Sequence, residues 1–250
     1  GSEPHLSTDN PYADVDGDGL PDVPLGRLAA DSPVELREIV RKTLAHERST
    51  DFGIWRRRLN VIAGVGGFGP LADLVLESTA RYLLTSNVPP QYDVTMTYAS
   101  WRSPYCPDPR LFHRTTVERL TEGCWIWVYL GHGFHLGLDR VRVPQADYHI
   151  LHRSDVPRLR CRHTPPVALF LACYTGAFDA TEDCLAEEML RAPGGPVAIL
   201  AGSRVTMPYG MAVLGTQLTE ACFESRTPTL GAAVLRAKRR LGREATGDDA

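Results

Sequence analysis

Two short motifs each place one reactive side chain beside glycine. His132 lies between Gly131 and Gly133, and Cys173 stands in the run Ala172–Gly176. A thiolate is a strong nucleophile, and a neighbouring imidazole favours the thiolate and later protonates a leaving amine. A buried cysteine is often only a small apolar side chain, and the histidine triplet alone is a weak signal. Their position relative to the predicted elements therefore decides what the two residues can do.

Both motifs follow directly on an apolar segment. Trp125–Leu130 precedes His132, and Val167–Ala172 leads into Cys173. Short apolar runs are typical of buried strands in a parallel sheet, whose reactive groups gather beyond the carboxyl ends of the strands. We therefore predict that Cys173 attacks a carbonyl carbon, with His132 as the acid and base. The amides of Gly133 and Cys173 are the predicted donors to the resulting oxyanion.

Strands and helices alternate along the rest of the chain. Ser32, Pro33 and Glu35 form a capping-box pattern that begins a helix. Further strands are predicted at 59–63, 92–99 and 196–201, with helices at 71–84, 111–121 and 184–191 and two more after residue 210. Residues 23–28 are predicted to be extended, and 134–164 form a long polar segment. The alternation predicts βαβ units and an α/β/α sandwich with a mostly parallel central sheet.

Composition excludes several classes of function. The 250 residues are 43% hydrophobic and carry a net charge of only -3, without a basic stripe, so no nucleic acid partner is expected. The apolar stretches are too short to span a bilayer. Six cysteines without CxxC spacing do not form a recognisable disulfide framework.

The ends of the chain differ in composition from its body. Gly1-Ser2 resembles an expression scar. We expect a scar and leader over 1–11, a catalytic domain over 12–244 with lobes 12–100 and 101–244, and a flexible tail over 245–250.

The His132 and Cys173 motifs resemble the His-Gly and Ala-Cys signatures of caspases, legumains and gingipains. Further similarity, over about residues 12–240, is to gingipains, through the segments Gly26–Leu28, Ser32–Leu36, Lys42–Arg48, Cys184–Leu190 and Gly195–Ile199. The resemblance implies a caspase-hemoglobinase-like fold and hydrolysis of protein or peptide substrates through an acyl-enzyme, with no cofactor required for the chemistry. It also favours a bacterial protein that is secreted or associated with the cell envelope.

Two positions of the gingipain pattern concern the site. Arginine-specific gingipains orient the catalytic histidine with a glutamate, and Val65 stands in that place, which implies a Cys-His dyad. Asp73 is similar in position to their pocket aspartate, which implies cleavage after Arg or Lys. Alternatively, Asp73 only favours a helix dipole. Arg204 would neutralise Asp73 or select an acidic substrate, and the residues expected to wall the pocket beside it are Ser203, Met207 and Tyr209.

Two further patterns concern metals. Oxygen ligands stand at the first, third, fifth and ninth positions of a calcium-type loop, with glycine at the sixth: Asp14, Asp16, Asp18, Asp22 and Gly19. The twelfth position is Leu25 instead of glutamate, and Asp/Gly runs also form plain turns, so both interpretations stay open. The pairs His132/His135 and His149/His152 match no zinc pattern and are interpreted as surface or loop histidines.

Two alternatives to a constitutive protease follow. The first is a caspase-like protease with acidic specificity that a partner, calcium or self-cleavage within 134–164 activates. The second is a non-catalytic binding pseudoenzyme, which the absence of a carboxylate at Val65 favours. A regulatory partner or additional domains of a longer protein are compatible with both.

Overall fold

The structure is a computed structural model of the chain, and it describes residues 6–64, 88–223 and 227–246. The predicted helix 71–84 and the positions of Val65 and Asp73 lie outside these residues. Two compact units are present: one comprises Gly1–Arg27, Gly67–Pro90 and Met207–Ala250, and the other comprises Leu28–Gly66 and Gln91–Thr206. The units interleave along the sequence. The lobes 12–100 and 101–244 expected from the sequence stay a prediction.

A five-stranded parallel sheet forms the centre of the second unit. Its strands are β1 (Arg58–Ala63), β2 (Asp93–Tyr98), β3 (Ile126–Leu130), β8 (Val167–Leu171) and β9 (Ala198–Ala201). They are ordered β2-β1-β3-β8-β9, and each neighbouring pair is parallel. Helices flank this sheet, so the predicted α/β class with a caspase-like arrangement is confirmed.

Three helices of the second unit begin and end close to the predicted positions. They are α1 (Pro33–Glu47), α2 (Phe112–Thr121) and α3 (Leu185–Arg191). The capping box of α1 is present: Ser32 Oγ accepts the Glu35 amide at 3.3 Å, and the Glu35 carboxylate accepts the Ser32 amide at 3.1 Å. The core against the sheet contains large, fully buried side chains, among them Phe112, Leu120, Trp127, Tyr129 and Phe170.

The segment after β3, predicted to be a long polar stretch, is folded. It contains β4 (Gly133–Phe134), β5 (Gly137–Leu138), β6 (Arg140–Val143), β7 (Ala146–His149) and a 3-10 helix over Arg153–Arg158. The apolar side chains between its polar residues are buried, namely Val141, Ile150, Leu151 and Val156. The segment therefore packs against the core, and exposed turns remain in it at 144–147 and at 162–163.

The first unit contains two helices, α4 (Pro208–Phe223) and α5 (Leu230–Thr246). Lys238 of α5 donates to Asn10 Oδ1 at 2.8 Å, and Arg239 pairs with Asp22 at 3.2 Å. Residues 23–28, predicted to be extended, belong to no strand of a sheet. Their apolar side chains, Val23, Leu25 and Leu28, are exposed. Among the described residues, no helix combines the length and apolarity needed to cross a membrane.

Candidate active site

The register of the sheet brings the two predicted reactive residues to one edge. Strands β3 and β8 are neighbours, and Leu130 pairs with Leu171. His132 and Cys173 each lie two residues beyond this pair, at the carboxyl ends of their strands. In parallel sheets, reactive groups gather beyond the carboxyl ends of the strands, which is where both residues lie.

Glycine permits the close contact between the two motifs. A Cβ atom on Gly133 would lie 2.6 Å from the Cys173 carbonyl oxygen and 2.8 Å from Thr175 Cγ2. At Gly131 the φ of +153° and the nearby Tyr129 hydroxyl, 2.8 Å from the position of a Cβ atom, also exclude larger residues. The backbones that carry the predicted oxyanion donors, Gly133 and Cys173, are therefore in contact.

Tyr129 is hydrogen-bonded to the backbone of His132. Its buried hydroxyl donates to the His132 carbonyl oxygen at 2.7 Å, and the Asp139 amide donates to the same oxygen at 3.2 Å. Burial raises the pKa of Tyr129, with the charge of Asp139 as the second cause, so the hydroxyl stays a neutral donor. Sequence reasoning missed this residue because a tyrosine in an apolar strand is typical of the core. The need of a buried hydroxyl for a partner was the available signal.

Thr206 contacts the sulfur of Cys173. Its amide lies 3.3 Å from Sγ, its hydroxyl oxygen lies 3.5 Å away, and Sγ lies 3.7 Å from the Thr206 carbonyl oxygen. Two donors directed at the sulfur atom hold the Cys173 side chain in one rotamer. Thr206 belongs to the loop predicted to wall the pocket, but no pattern in the sequence distinguishes it from its neighbours.

Backbone bonds join this loop to the turn after Cys173. Tyr174 has a left-handed φ of 57°. Its amide donates to the Arg204 carbonyl oxygen at 3.2 Å, and the Gly176 amide donates to Gly202 at 2.9 Å. The loop therefore holds Tyr174, a strained residue next to the predicted nucleophile Cys173.

Arg204 makes a two-pronged ion pair with Asp179. Its two terminal nitrogens lie 2.8 and 2.5 Å from the two carboxylate oxygens, and only 18% of the Arg204 side chain is exposed. This pairing fixes the position of the Arg204 side chain beside the loop, and both predicted roles of Arg204 stay predictions. Asp179 was not found from the sequence, because its partner lies on a different loop.

The other predicted pocket residues do not all lie in the loop of Arg204. Ser203 lies in the same loop, and its carbonyl oxygen accepts from Arg204 at 2.8 Å. Met207 and Tyr209 belong to the first unit and are exposed, with Tyr209 in the first turn of α4. Asp73 lies outside the described residues.

The predicted calcium loop brings three of its four carboxylates together. Ligand oxygens of Asp14, Asp16 and Asp18 lie within 4.8 Å of one another. Asp22 instead accepts the Val15 amide at 2.9 Å and pairs with Arg239. Asp14 also accepts two amides of its own turn, at 2.8 and 2.9 Å, as plain turns do.

Comparison with known proteins identifies what the chain is similar to. The profile described as peptidase family C25 matches residues 3–249. Among solved structures, the crystal structure of the Arg-specific cysteine proteinase gingipain R superposes with a TM-score of 0.79 at 21% identity, over 99% of this chain and 56% of that one. A structure titled only as a protease gives a TM-score of 0.77 at 20% identity, over 98% of this chain and 54% of that one.

A third match is a complex of the Porphyromonas gingivalis RgpB pro- and mature domains. Its TM-score is 0.73 at 18% identity, over 99% of this chain and 58% of that one. No curated protein sequence matches the chain. The chain thus spans little more than half the length of the solved structures that it matches.

Proposed function

Because the chain belongs to peptidase family C25, we propose that it is a cysteine endopeptidase with Cys173 as nucleophile and His132 as general acid and base. The observation that carries the proposal is the common register of β3 and β8, which places both residues just beyond the paired Leu130 and Leu171. The contact of Gly133 with the Cys173 backbone adds to it.

The reaction follows from the chemistry of these groups. The His132 imidazole takes the proton of the Cys173 thiol, and the resulting thiolate attacks the scissile carbonyl carbon. The Gly133 and Cys173 amides stabilise the tetrahedral oxyanion. Collapse breaks the C–N bond, the His132 imidazolium gives its proton to the amine, and a thioester remains on Cys173. His132 then takes a proton from water, which hydrolyses the thioester and regenerates the thiol. No metal or organic cofactor takes part in these steps.

The substrate is proposed to carry Arg, or Lys, on the acyl side of the cleaved bond. The similarity of Asp73 to the pocket aspartate of gingipains supports this, since a carboxylate binds a guanidinium through two hydrogen bonds. The match to a proteinase titled as Arg-specific supports it as well. Fluorogenic peptides with Arg, Lys or Asp at this position test it on wild type and Asp73→Asn. Cleavage of the Asp peptide alone would establish the acidic-specific alternative.

Alkylation tests the nucleophile independently of any substrate. All six cysteines are free thiols, and Cys106 and Cys222 are partly exposed like Cys173, so they serve as internal references. We expect iodoacetamide to label Cys173 fastest, and Cys173→Ala to abolish peptidase activity. Equal labelling of the three thiols, with and without calcium, would instead identify a non-catalytic binding module.

A regulatory partner is part of the proposal. The match to a complex of pro- and mature domains supports regulation by an additional domain or protein that covers the site. A peptidase that is active as the isolated chain and unaffected by neighbouring segments of the longer protein would contradict this.

A further inference from the structure

Two histidines and an aspartate converge in the second unit, outside the motifs of His132 and Cys173. One ligand atom each of His113, His149 and Asp155 lies within 4.8 Å of the other two. The His113 and His149 rings stack with centroids 4.6 Å apart, and His149 Nε2 lies 2.9 Å from Asp155 Oδ2. We propose that these three side chains bind a divalent transition-metal ion, with Zn²⁺ as the ion that fits them best.

The fold assembles the cluster from three elements. His113 lies in the first turn of α2, His149 ends β7, and Asp155 lies in the 3-10 helix Arg153–Arg158. The hairpin register sets His149 opposite Arg140. The sequence did not indicate the cluster, because the spacing of His149 and His152 pairs His149 with His152. The structure instead brings His149 to His113. His152 Nδ1 instead contacts Ser154 Oγ at 3.0 Å.

Asp155 has the surroundings of a ligating carboxylate. It is 1% exposed, and its two oxygens have separate partners. Oδ1 faces Arg158 at 3.1 Å, whereas Oδ2 faces His149 and accepts the His152 amide at 3.1 Å. Arg158 can therefore keep Oδ1 while Oδ2 turns to a metal, and hydrogen bonds of this kind commonly orient ligating carboxylates.

The ligand set suits zinc. Two imidazoles and one carboxylate, at metal–ligand distances of about 2.0–2.2 Å, are typical of Zn²⁺ sites that keep a water as the fourth ligand. A neutral imidazole is the ligating form of histidine.

The ion would cross-link two parts of the second unit. It would join α2 to the β6–β7 hairpin and to the 3-10 helix that follows this hairpin closely in the sequence. The hairpin in turn supports the active site, since Ile150 donates to the Asp139 carbonyl oxygen at 3.0 Å and Asp139 donates to that of His132 at 3.2 Å. The inference does not depend on peptidase activity.

Metal binding is best measured in a Cys173→Ala background, which removes the nucleophilic thiol as a competing ligand. After treatment with EDTA, the protein is titrated with Zn²⁺ by calorimetry, its zinc content is measured after desalting, and Co²⁺ serves as a spectroscopic probe. We expect about one ion per chain, a higher Tm with zinc, and a Co²⁺ spectrum without thiolate bands.

Variants locate the ion. His113→Gln and His149→Gln should each lose stoichiometric zinc and the rise in Tm, whereas the exposed His163 provides the matched control, His163→Gln, which should keep both. Tm in EDTA shows whether each variant folds, and either histidine variant suffices for the test. Absence of zinc from the parent protein, or equal zinc in the parent and a folded His113 or His149 variant, would overturn the proposal.

Discussion

The sulfur of Cys173 receives two donors from one residue, and one of them can be removed alone. Thr206→Val keeps the amide at 3.3 Å from Sγ and deletes the hydroxyl at 3.5 Å. We expect kcat/KM to fall about fivefold, which corresponds to about 1 kcal/mol for one hydrogen bond. The alkylation rate of Cys173 should fall in parallel. Thr206→Ser keeps the hydroxyl and is the control, so equal losses in both variants would contradict this role.

Tyr129 is expected to act on His132 only through the backbone, as a positioning residue. Tyr129→Phe deletes the 2.7 Å bond to the His132 carbonyl oxygen and leaves the Asp139 amide as its donor. We expect a loss of about 1–2 kcal/mol in the free energy of unfolding and a lower kcat with an unchanged KM. Urea unfolding and steady-state kinetics measure the two effects. The partly exposed Tyr148 offers the control Tyr148→Phe, and a similar loss there would refute the argument.

Elements with strong local signals were predictable from the sequence. The helix α1 carries its own start signal in Ser32 and Glu35, and the apolar runs before His132 and Cys173 predicted two buried strands that meet at one edge. The strands β4 to β7 were missed, because segments of two to four residues are too short to show a period. Contacts such as that of Thr206 with Cys173 or of His113 with His149 depend on tertiary packing, which local patterns do not encode.

Lys42 illustrates such a contact between elements. It lies in α1, is 2% exposed, and donates to the Leu190 and Ala192 carbonyl oxygens at the end of α3, at 2.7 and 3.0 Å. Lys42→Met removes this donor from the Leu190 carbonyl and leaves the Ala192 carbonyl with the Gly195 amide, so we expect a loss of about 1–3 kcal/mol in the free energy of unfolding. Chemical denaturation measures it. Arg41→Met, on the exposed face of the same helix, should change stability by less than about 0.5 kcal/mol.

The acidic loop supplies a prediction for the first unit. If Asp14, Asp16 and Asp18 hold calcium, Ca²⁺ should raise Tm, because an ion that binds only the folded state stabilises it. Asp16→Asn and Asp18→Asn together should remove the shift, and these two exposed residues are chosen because Asp14 also builds the turn. Mg²⁺ at the same concentration is the control ion. An unchanged wild-type Tm would leave the loop as a plain turn.

Over the second unit as a whole, buried thiols set how stability responds to alkaline pH. Burial raises the pKa of each of three thiols from 9.0 to about 12, at Cys124, Cys161 and Cys184. Above pH 9 these thiols stay protonated in the folded protein and ionise in the unfolded chain, so stability falls as pH rises. Each contributes up to about 1.4 kcal/mol per pH unit. Burial lowers the pKa of Lys42 from 10.5 to about 8, and this opposes the fall between those two values.

The destabilising contribution of three thiols exceeds the opposing contribution of one lysine. We therefore predict that the free energy of unfolding falls from about pH 9.5 to 10.5. Urea unfolding under reducing conditions, followed by tryptophan fluorescence, measures the slope, since Trp127 is fully buried in the same unit. Cys124→Ala should make the slope shallower by about 1.4 kcal/mol per pH unit, whereas Lys42→Met should make it steeper by a similar amount. Comparing slopes removes the constant cost of each substitution. Parallel slopes in all three proteins would show that these buried groups do not govern alkaline unfolding.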